Sequence, residues 1–290
     1  LNTWCVIRSD PESREDMKVL DKKVLAENIV QVTIQSPYIA AKAKAGQFVV
    51  LMVKEEGERI PLTVVQADAS KGSIVLIVQA SGFTTKLLAH VNKGDSLYSV
   101  VGPLGHPTEI KKYGKVILVG GGVGIAEIYP VAQAMKEAGN DVTAIIGSRS
   151  KALLILEQEM RLICDSLVVM SDDGSCGRKG FVTEALQELL KKELPALVYA
   201  VGPLPMMRAV AQVTKERGVR TLVSLNALMV DGTGMCGCCR VSVAGKVKFS
   251  CVDGPEFQAD EIDWQELMKR NSVYADKEKH ICRLNNLYGV

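Results

Sequence analysis

Between residues 18 and about 108 the apolar positions alternate with polar ones or gather in short bursts, as in Ile29-Val30-Gln31-Val32-Thr33-Ile34, residues 48–53 and residues 74–78. Gly, Pro, Asn, Asp or Lys bounds each burst, which is the period and punctuation of short antiparallel strands. One short helix fits at residues 84–90. Strands recurring at roughly ten-residue intervals predict a small closed barrel. Beyond Tyr113 the pattern changes. Val116-Ile117-Leu118-Val119 is an unbroken apolar run, Gly120 to Gly124 interrupts it, and residues 125–138 have a helical period. Further strand-like runs at 142–147, 167–170, 197–201 and 221–225, with helical segments between them, predict a mainly parallel, doubly wound sheet. Near the end, residues 240–243 and 246–249 alternate around Ala244-Gly245, the pattern of a hairpin.

Composition narrows the class. A chain of 290 residues with 47% apolar content can build two domain cores. The net charge of +2 gives no global field for nucleic acid or an acidic membrane, so neither is expected as a partner. No apolar run approaches the roughly 18 residues needed to span a bilayer. Residues 1–16 are mostly polar and lack the apolar core of a signal peptide; they read as a leader, or as a segment foreign to the native protein, with Met17 the natural first residue. Of the eight cysteines, Cys236, Cys238, Cys239 and Cys251 crowd together while Cys5, Cys164, Cys176 and Cys282 are scattered. That distribution suits a reduced, cytoplasmic setting better than a disulfide framework.

The crowded cysteines carry the most specific signal. Asp231 to Cys251 reads Asp-x4-Cys-x2-Cys-x11-Cys, the plant-type two-iron spacing with a carboxylate in the first position. Asp231, Cys236, Cys239 and Cys251 are the expected ligands, with Cys251 returning from the hairpin and Cys238 left out. Gly232, Gly234 and Gly237 would let the loop bend around an inorganic core. The alternative is a structural zinc knuckle using Cys236, Cys238 or Cys239, and Cys251, although a zinc ribbon usually shows two paired knuckles.

Three turns in the first third offer ligand chemistry. Arg59-Ile60-Pro61-Leu62-Thr63 sets a guanidinium for a phosphate beside residues that can meet a flat ring. Gly82, Thr84 and Thr85 lie at a helix start, where amides and hydroxyls suit an anion. Gly102 belongs to a rigid Gly-Pro-Leu-Gly turn. In the middle third, Gly120, Gly121, Gly122 and Gly124 open a helix and can admit a dinucleotide pyrophosphate. Asp172 and Asp173, and Gly202, Pro203 and Met206, follow later strands at the equivalent end. Arg149 stands where an acidic residue would favour a ribose hydroxyl and a basic one a 2′-phosphate, so the residue chemistry leans to NADP(H).

Arg-x-Pro-Leu-Thr, Gly-Phe-Thr-Thr and Gly-Pro-Leu-Gly, taken in that order, resemble the flavin domain of the ferredoxin–NADP⁺ reductase superfamily, and the glycine and Gly-Pro loops resemble its pyridine-nucleotide domain. Resemblance therefore implies FAD on Arg59, Pro61, Leu62 and Thr63, with Gly82 and Thr84 or Thr85 near its phosphates, and NAD(H) or NADP(H) on the glycine loop with its nicotinamide beside Gly202-Pro203. Pro61-Leu62-Thr63 departs from the Tyr-Ser or Tyr-Thr more usual in that superfamily. Residues 120–130, with Glu127 where dihydroorotate relatives usually have Pro, and Asp231 as first ligand are similar to the small (alpha) subunit of NADH-dependent reduced ferredoxin:NADP⁺ oxidoreductase, also named sulfide dehydrogenase beta. The electron-transfer subunit of dihydroorotate dehydrogenase shares the same domain order.

The resemblance implies a leader at 1–16, an FAD-binding β-barrel at 17–110, an NAD(P)-binding α/β domain at 111–226, a [2Fe-2S] module at 227–268 and a tail at 269–290. It implies an electron-transfer subunit working in a heterodimer with a larger flavin and iron–sulfur subunit, and reaching ferredoxin through that partner. The tail, with apolar pairs between charges at 273–274, 281–282 and 287–288, reads either as a segment that orders on the partner or as a disordered tail. A non-catalytic nucleotide-binding module with a zinc knuckle is the remaining alternative. No Ser/His/Asp or Cys/His nucleophilic set is evident among His90, His106 and His280.

Overall fold

The computed structural model describes residues 6–7 and 17–273. Of the stretch read as a leader, only β1 (Val6–Ile7) is described, and the tail beyond residue 273 lies outside the described residues, with the apolar pairs at 281–282 and 287–288.

The first third forms β2 (Val19–Ala26), β3 (Ile29–Gln35), β4 (Phe48–Met52), β5 (Ile60–Thr63), β6 (Gln66–Asp68), β7 (Ser73–Gln79) and β8 (Ser99–Leu104), with short helices α1 (Pro37–Lys42) and α2 (Phe83–His90). They build two antiparallel four-stranded sheets, ordered β1-β8-β4-β5 and β2-β3-β7-β6. Alternation explains how the two enclose one core. Val30, Val32 and Ile34 point inward from β3, and meet Val49 and Leu51 of β4 and Val100 of β8.

The middle third adds β9 (Lys115–Gly121), α3 (Gly124–Glu137), β10 (Asp141–Ser148), α4 (Glu157–Ile163), β11 (Ser166–Ser171), β12 (Arg178–Lys179), α5 (Val182–Lys192), β13 (Leu197–Val201), α6 (Leu204–Lys215) and β14 (Thr221–Ser224). The sheet order is β12-β11-β10-β9-β13-β14, all parallel. Both faces are covered, which is why β9 reads as an unbroken apolar run. Val116 and Leu118 pack with α3 and α4, whereas Ile117 and Val119 pack with α5 and α6. Ile29, Val65 and Ile77 of the barrel join the α3 side, so the barrel leans on that face. The chain leaves β9 toward β10 and later returns to its other side as β13. The crevice at such a switch point, outside the carboxyl ends of the strands, is where ligands bind.

The last segment contributes the hairpin β15 (Arg240–Val243) and β16 (Lys246–Phe249), then β17 (Glu256–Gln258) and α7 (Trp264–Asn271). The hairpin has the predicted bounds, with Ala244 and Gly245 both at positive φ. β17 was not foreseen. It pairs antiparallel with β14 as a seventh strand, Ser224 opposite Glu256, and the ladder continues where Leu225 N donates to Pro255 O at 2.9 Å. The C-terminal segment is thus fused to the nucleotide sheet rather than standing apart from it. Among the described residues, no helix is long and apolar enough to cross a membrane.

Candidate cofactor cleft and cysteine loop

Two cavities meet between barrel and sheet. The larger, about 710 Å³, opens over the carboxyl ends of β9, β10 and β13. Of the residues expected to bind a nucleotide, Gly121, Gly122, Gly124, Arg149, Asp172, Gly202, Pro203 and Met206 line it. Gly120 and Asp173 do not line it. A Cβ on Gly120 would come within 2.8 Å of Ile128 Cδ1, so this glycine lets strand and helix approach. Asp173 turns its carboxylate to Ser175, accepting from its amide at 2.9 Å and its hydroxyl at 2.6 Å.

The smaller cavity, about 240 Å³, lies against β5. Pro61, Leu62, Thr63 and Thr85 line it, together with apolar Phe48, Val65, Ile77 and Met229. This is a narrow apolar slot with hydroxyls at its edge, and it fits one face of a flat heteroaromatic ring. Arg59 is exposed and, by strand alternation, shares the face of β5 that carries Pro61 and Thr63. Gly82 caps α2, its amide donating to Thr85 Oγ1 at 2.9 Å. Thr84 is buried, and its hydroxyl donates to Glu58 Oε2 at 3.1 Å. Gly102 precedes a cis proline and packs on Val49, where an added Cβ would sit 2.8 Å from Val49 Cγ1. Thr84 and Gly102 therefore shape the barrel beneath the slot rather than its lining.

Four residues line both cavities: Gln79, Val123, Glu127 and Asn226. Glu127 stands in the first turn of α3, and burial pushes its carboxyl up to about 7 against the hydrogen bond that the Thr63 hydroxyl gives it. Only the strand-to-helix juxtaposition reveals this wall, although the carboxylate inside an otherwise apolar helix start was a visible oddity.

A second buried carboxyl was missed altogether. Glu256 of β17 accepts from Tyr199 of β13 at 2.8 Å and from Thr108 at the end of the barrel segment. Burial raises its pKa while both hydroxyls oppose the rise, and Tyr199, buried beside it, is raised well above the ordinary phenol value. This triad joins all three parts of the chain.

The cysteine loop packs against the slot. Cys239 and Cys251 are buried with their sulfurs 3.2 Å apart, in one core with Phe48, Val50, Leu104, Ala227 and Met229. Phe48 and Met229 also line the slot, so the slot and the cysteine pair share these two side chains. Cys236 is exposed and hydrogen-bonds with Cys238. The Asp231 carboxylate accepts from the amides of Thr233 at 2.9 Å and Met235 at 3.3 Å, and from the Thr233 hydroxyl. These bonds hold it below the ordinary carboxylate range, with help from the nearby Arg59 charge. Among the described residues the structure does not gather three or more of the expected ligands into one metal-binding group.

The donor set nonetheless suits a sulfur-ligated cluster. Amides of Cys238 and Asp231 point at the Cys236 sulfur, those of Cys251 and Ser250 at Cys239, and that of Gly234 at Cys251. Converging amides are how proteins stabilise thiolate ligands and tune iron–sulfur centres. Positive φ at Gly232, Gly234 and Gly237 makes the inward turn possible.

Comparison with known proteins finds two family matches in the chain. The family described as the oxidoreductase NAD-binding domain matches residues 118–212, and the iron–sulfur cluster binding domain of dihydroorotate dehydrogenase B matches residues 226–263. A dihydroorotate dehydrogenase B (NAD(+)) electron transfer subunit homolog from Thermotoga maritima is 48% identical, covering 90% of this chain and 93% of its own length. The electron transfer subunit from Geobacillus thermodenitrificans is 33% identical over 86% and 98%. A chain from the structure of NADH-dependent reduced ferredoxin-NADP oxidoreductase, studied for flavin-based electron bifurcation, superposes with a TM-score of 0.87 at 48% identity, covering 91% of this chain and 95% of that one. The cytochrome P450 reductase GcoB of Amycolatopsis, 23% identical with a TM-score of 0.60 over 70% of this chain and 65% of its own, shares the fold.

Proposed function

Because the chain belongs to the family of dihydroorotate dehydrogenase B-type electron-transfer subunits, we propose that it moves electrons between NAD(P)H, FAD and a [2Fe-2S] cluster on behalf of a larger partner subunit. The observation that carries this reading is the order of sites: dinucleotide cavity, apolar slot and buried cysteine pair, with Phe48 and Met229 shared by the last two. When bound, a flavin supplies the exchange between a two-electron hydride and single electrons. The chain's own residues position the parts. The turn at Gly121 to Gly124 offers amides to the pyrophosphate, Gly202-Pro203 bounds the nicotinamide end, and Pro61 to Thr63 form the flavin wall. Arg59 holds the flavin pyrophosphate from outside the slot, while Gly82 and Thr85 approach it from α2. Asp231, Cys236, Cys239 and Cys251 hold the cluster.

The partner is of the ferredoxin–NADP⁺ oxidoreductase type, through which ferredoxin is reached. Support comes from identity: 48% to the bifurcating oxidoreductase chain, equal to that of the Thermotoga maritima subunit homolog, against 31–34% for the Geobacillus and Bacillus dihydroorotate dehydrogenase subunits. NAD(H) is the nucleotide this likeness favours, despite Arg149 in the cavity wall. Absorbance and electron paramagnetic resonance of the purified protein during anaerobic NADH titration test the reading. Flavin bleaching followed by a reduced two-iron signal is the expected course, with slow ferredoxin turnover by the single chain. A colourless, zinc-loaded protein would overturn it.

A further inference from the structure

Hydride transfer requires donor and acceptor rings in near contact, so on the reading just given both rings must lie where the two cavities join. Of the four residues lining both, Glu127 is the ionisable one. Its surroundings leave its charge uncompensated. Thr63 faces it from β5, and the buried Tyr199 of β13, which also holds Glu256 of β17, is close enough to feel its charge. Arg149 and Asp172 stand on the rim of the larger cavity. Among the described residues no cation forms an ion pair with Glu127 or contributes to its titration. Its ionisation is therefore left to whatever fills the junction.

An oxidised nicotinamide ring is a cation and a reduced one is neutral. A carboxyl against that ring meets a counter-ion in one state and loses solvent without compensation in the other. We propose that Glu127 senses the redox state of the bound nicotinamide, standing as a carboxylate beside the oxidised ring and taking up a proton beside the reduced one. The residue thereby favours the oxidised nucleotide and couples proton binding to the redox state of the ligand. A group poised near 7 in the unliganded cleft can move either way at neutral pH.

The inference rests on the nucleotide reading above, and the experiment separates the two. The flavin-loaded protein is titrated calorimetrically at pH 7, in two buffers of different ionisation enthalpy. The ligands are NAD⁺ and 1,4,5,6-tetrahydro-NAD, a neutral analogue that cannot give a hydride. A group driven to opposite forms predicts net proton release with NAD⁺ and net proton uptake with the analogue. Glu127→Gln should abolish both exchanges while binding persists, and should lower the preference for NAD⁺ by roughly tenfold. Thr63→Val removes a bond that favours the carboxylate, so its exchange should persist with a midpoint at higher pH. Proton exchange of the same sign for both ligands, exchange surviving in Glu127→Gln, or an unmoved midpoint in Thr63→Val would refute the proposal. Failure of both ligands to bind would refute the nucleotide reading and this inference with it.

Discussion

Gly124→Ala should damage nucleotide binding out of proportion to the size of a methyl group. Gly124 begins α3 against the end of β13, and a Cβ built there lies 2.5 Å from Val201 O, 2.7 Å from Val201 C and 2.9 Å from Gly202 N. These neighbours are backbone atoms in the centre of a sheet, so no side chain can swing away. Ordinary contact starts near 3.4 Å, so the helix start must retreat by about 0.9 Å. Such overpacking costs about 1–3 kcal/mol, or roughly 2–10 °C in melting temperature for a domain of this size. The retreat also withdraws the amides that, on the proposed reading, face the pyrophosphate. Losing one or two charge-assisted bonds of about 1.5–3 kcal/mol weakens NAD(H) by tenfold or more. Gly218→Ala, outside the lining of both cavities, is the control: nothing lies within 4 Å of its Cβ, but φ is +64°, so only left-handed strain of about 1–2 kcal/mol arises. Thermal melts and calorimetric NAD⁺ titration of both variants decide the matter. If Gly124→Ala melts with the wild type and binds as well as Gly218→Ala, the helix start does not set the amide positions.

Arg59→Ala should release FAD at about tenfold or more higher concentration on dilution, read by flavin fluorescence; unchanged retention would assign Arg59 no role in binding. Cys236→Ser should lose iron while Cys238→Ser keeps it, measured by iron content and visible absorbance, and the opposite pattern would replace Cys236 with Cys238 in the ligand set. Glu256 has a raised folded-state pKa, so its ionisation works against folding, and that penalty is absent below the unfolded value of about 4.5 and grows as pH rises toward the folded value. Relative to Glu256→Gln, the wild type should therefore lose stability as pH rises above about 4.5 in urea melts, and parallel pH curves would contradict the burial argument.

Local periodicity made most of the fold legible. β13 and the hairpin β15–β16 have the bounds that alternation indicated, and β9, β10 and β11 extend theirs by a residue or two. The glycine turn, Gly202-Pro203 and Pro61 to Thr63 were readable because their chemistry is written in consecutive residues. What escaped depends on contacts between distant segments. β17 is three residues long, Glu-Phe-Gln, with too little alternation to announce a strand, and only pairing with β14 creates it. The Thr108–Tyr199–Glu256 triad draws on three parts of the chain, so no spacing rule connects it. Glu127 was visible as an unusual residue, but its place on a wall shared by two cavities follows from barrel and sheet packing together. Spacing likewise named ligands without showing that the chain alone leaves Asp231 turned to Thr233 and Cys236 to Cys238.

The antiparallel edge strand has an engineering consequence. β14 ends and β17 begins side by side, and the bond from Leu225 to Pro255 closes the neck between them. Residues 225–255, with all four cysteines of the redox loop, therefore depart and return at one point on the sheet, like a cartridge in a socket. The neck is also clipped to the barrel, since His106 N donates to Gly254 O at 2.7 Å. Neighbouring strands lie about 4.8 Å apart, so a tight two-residue turn can bridge the socket once the cartridge is removed. The same geometry sets the terms of a transplant: a recipient sheet must offer a free edge strand for the neck and, beside it, an apolar flank that replaces Phe48, Val50 and Leu104, with which Cys239 and Cys251 share their core.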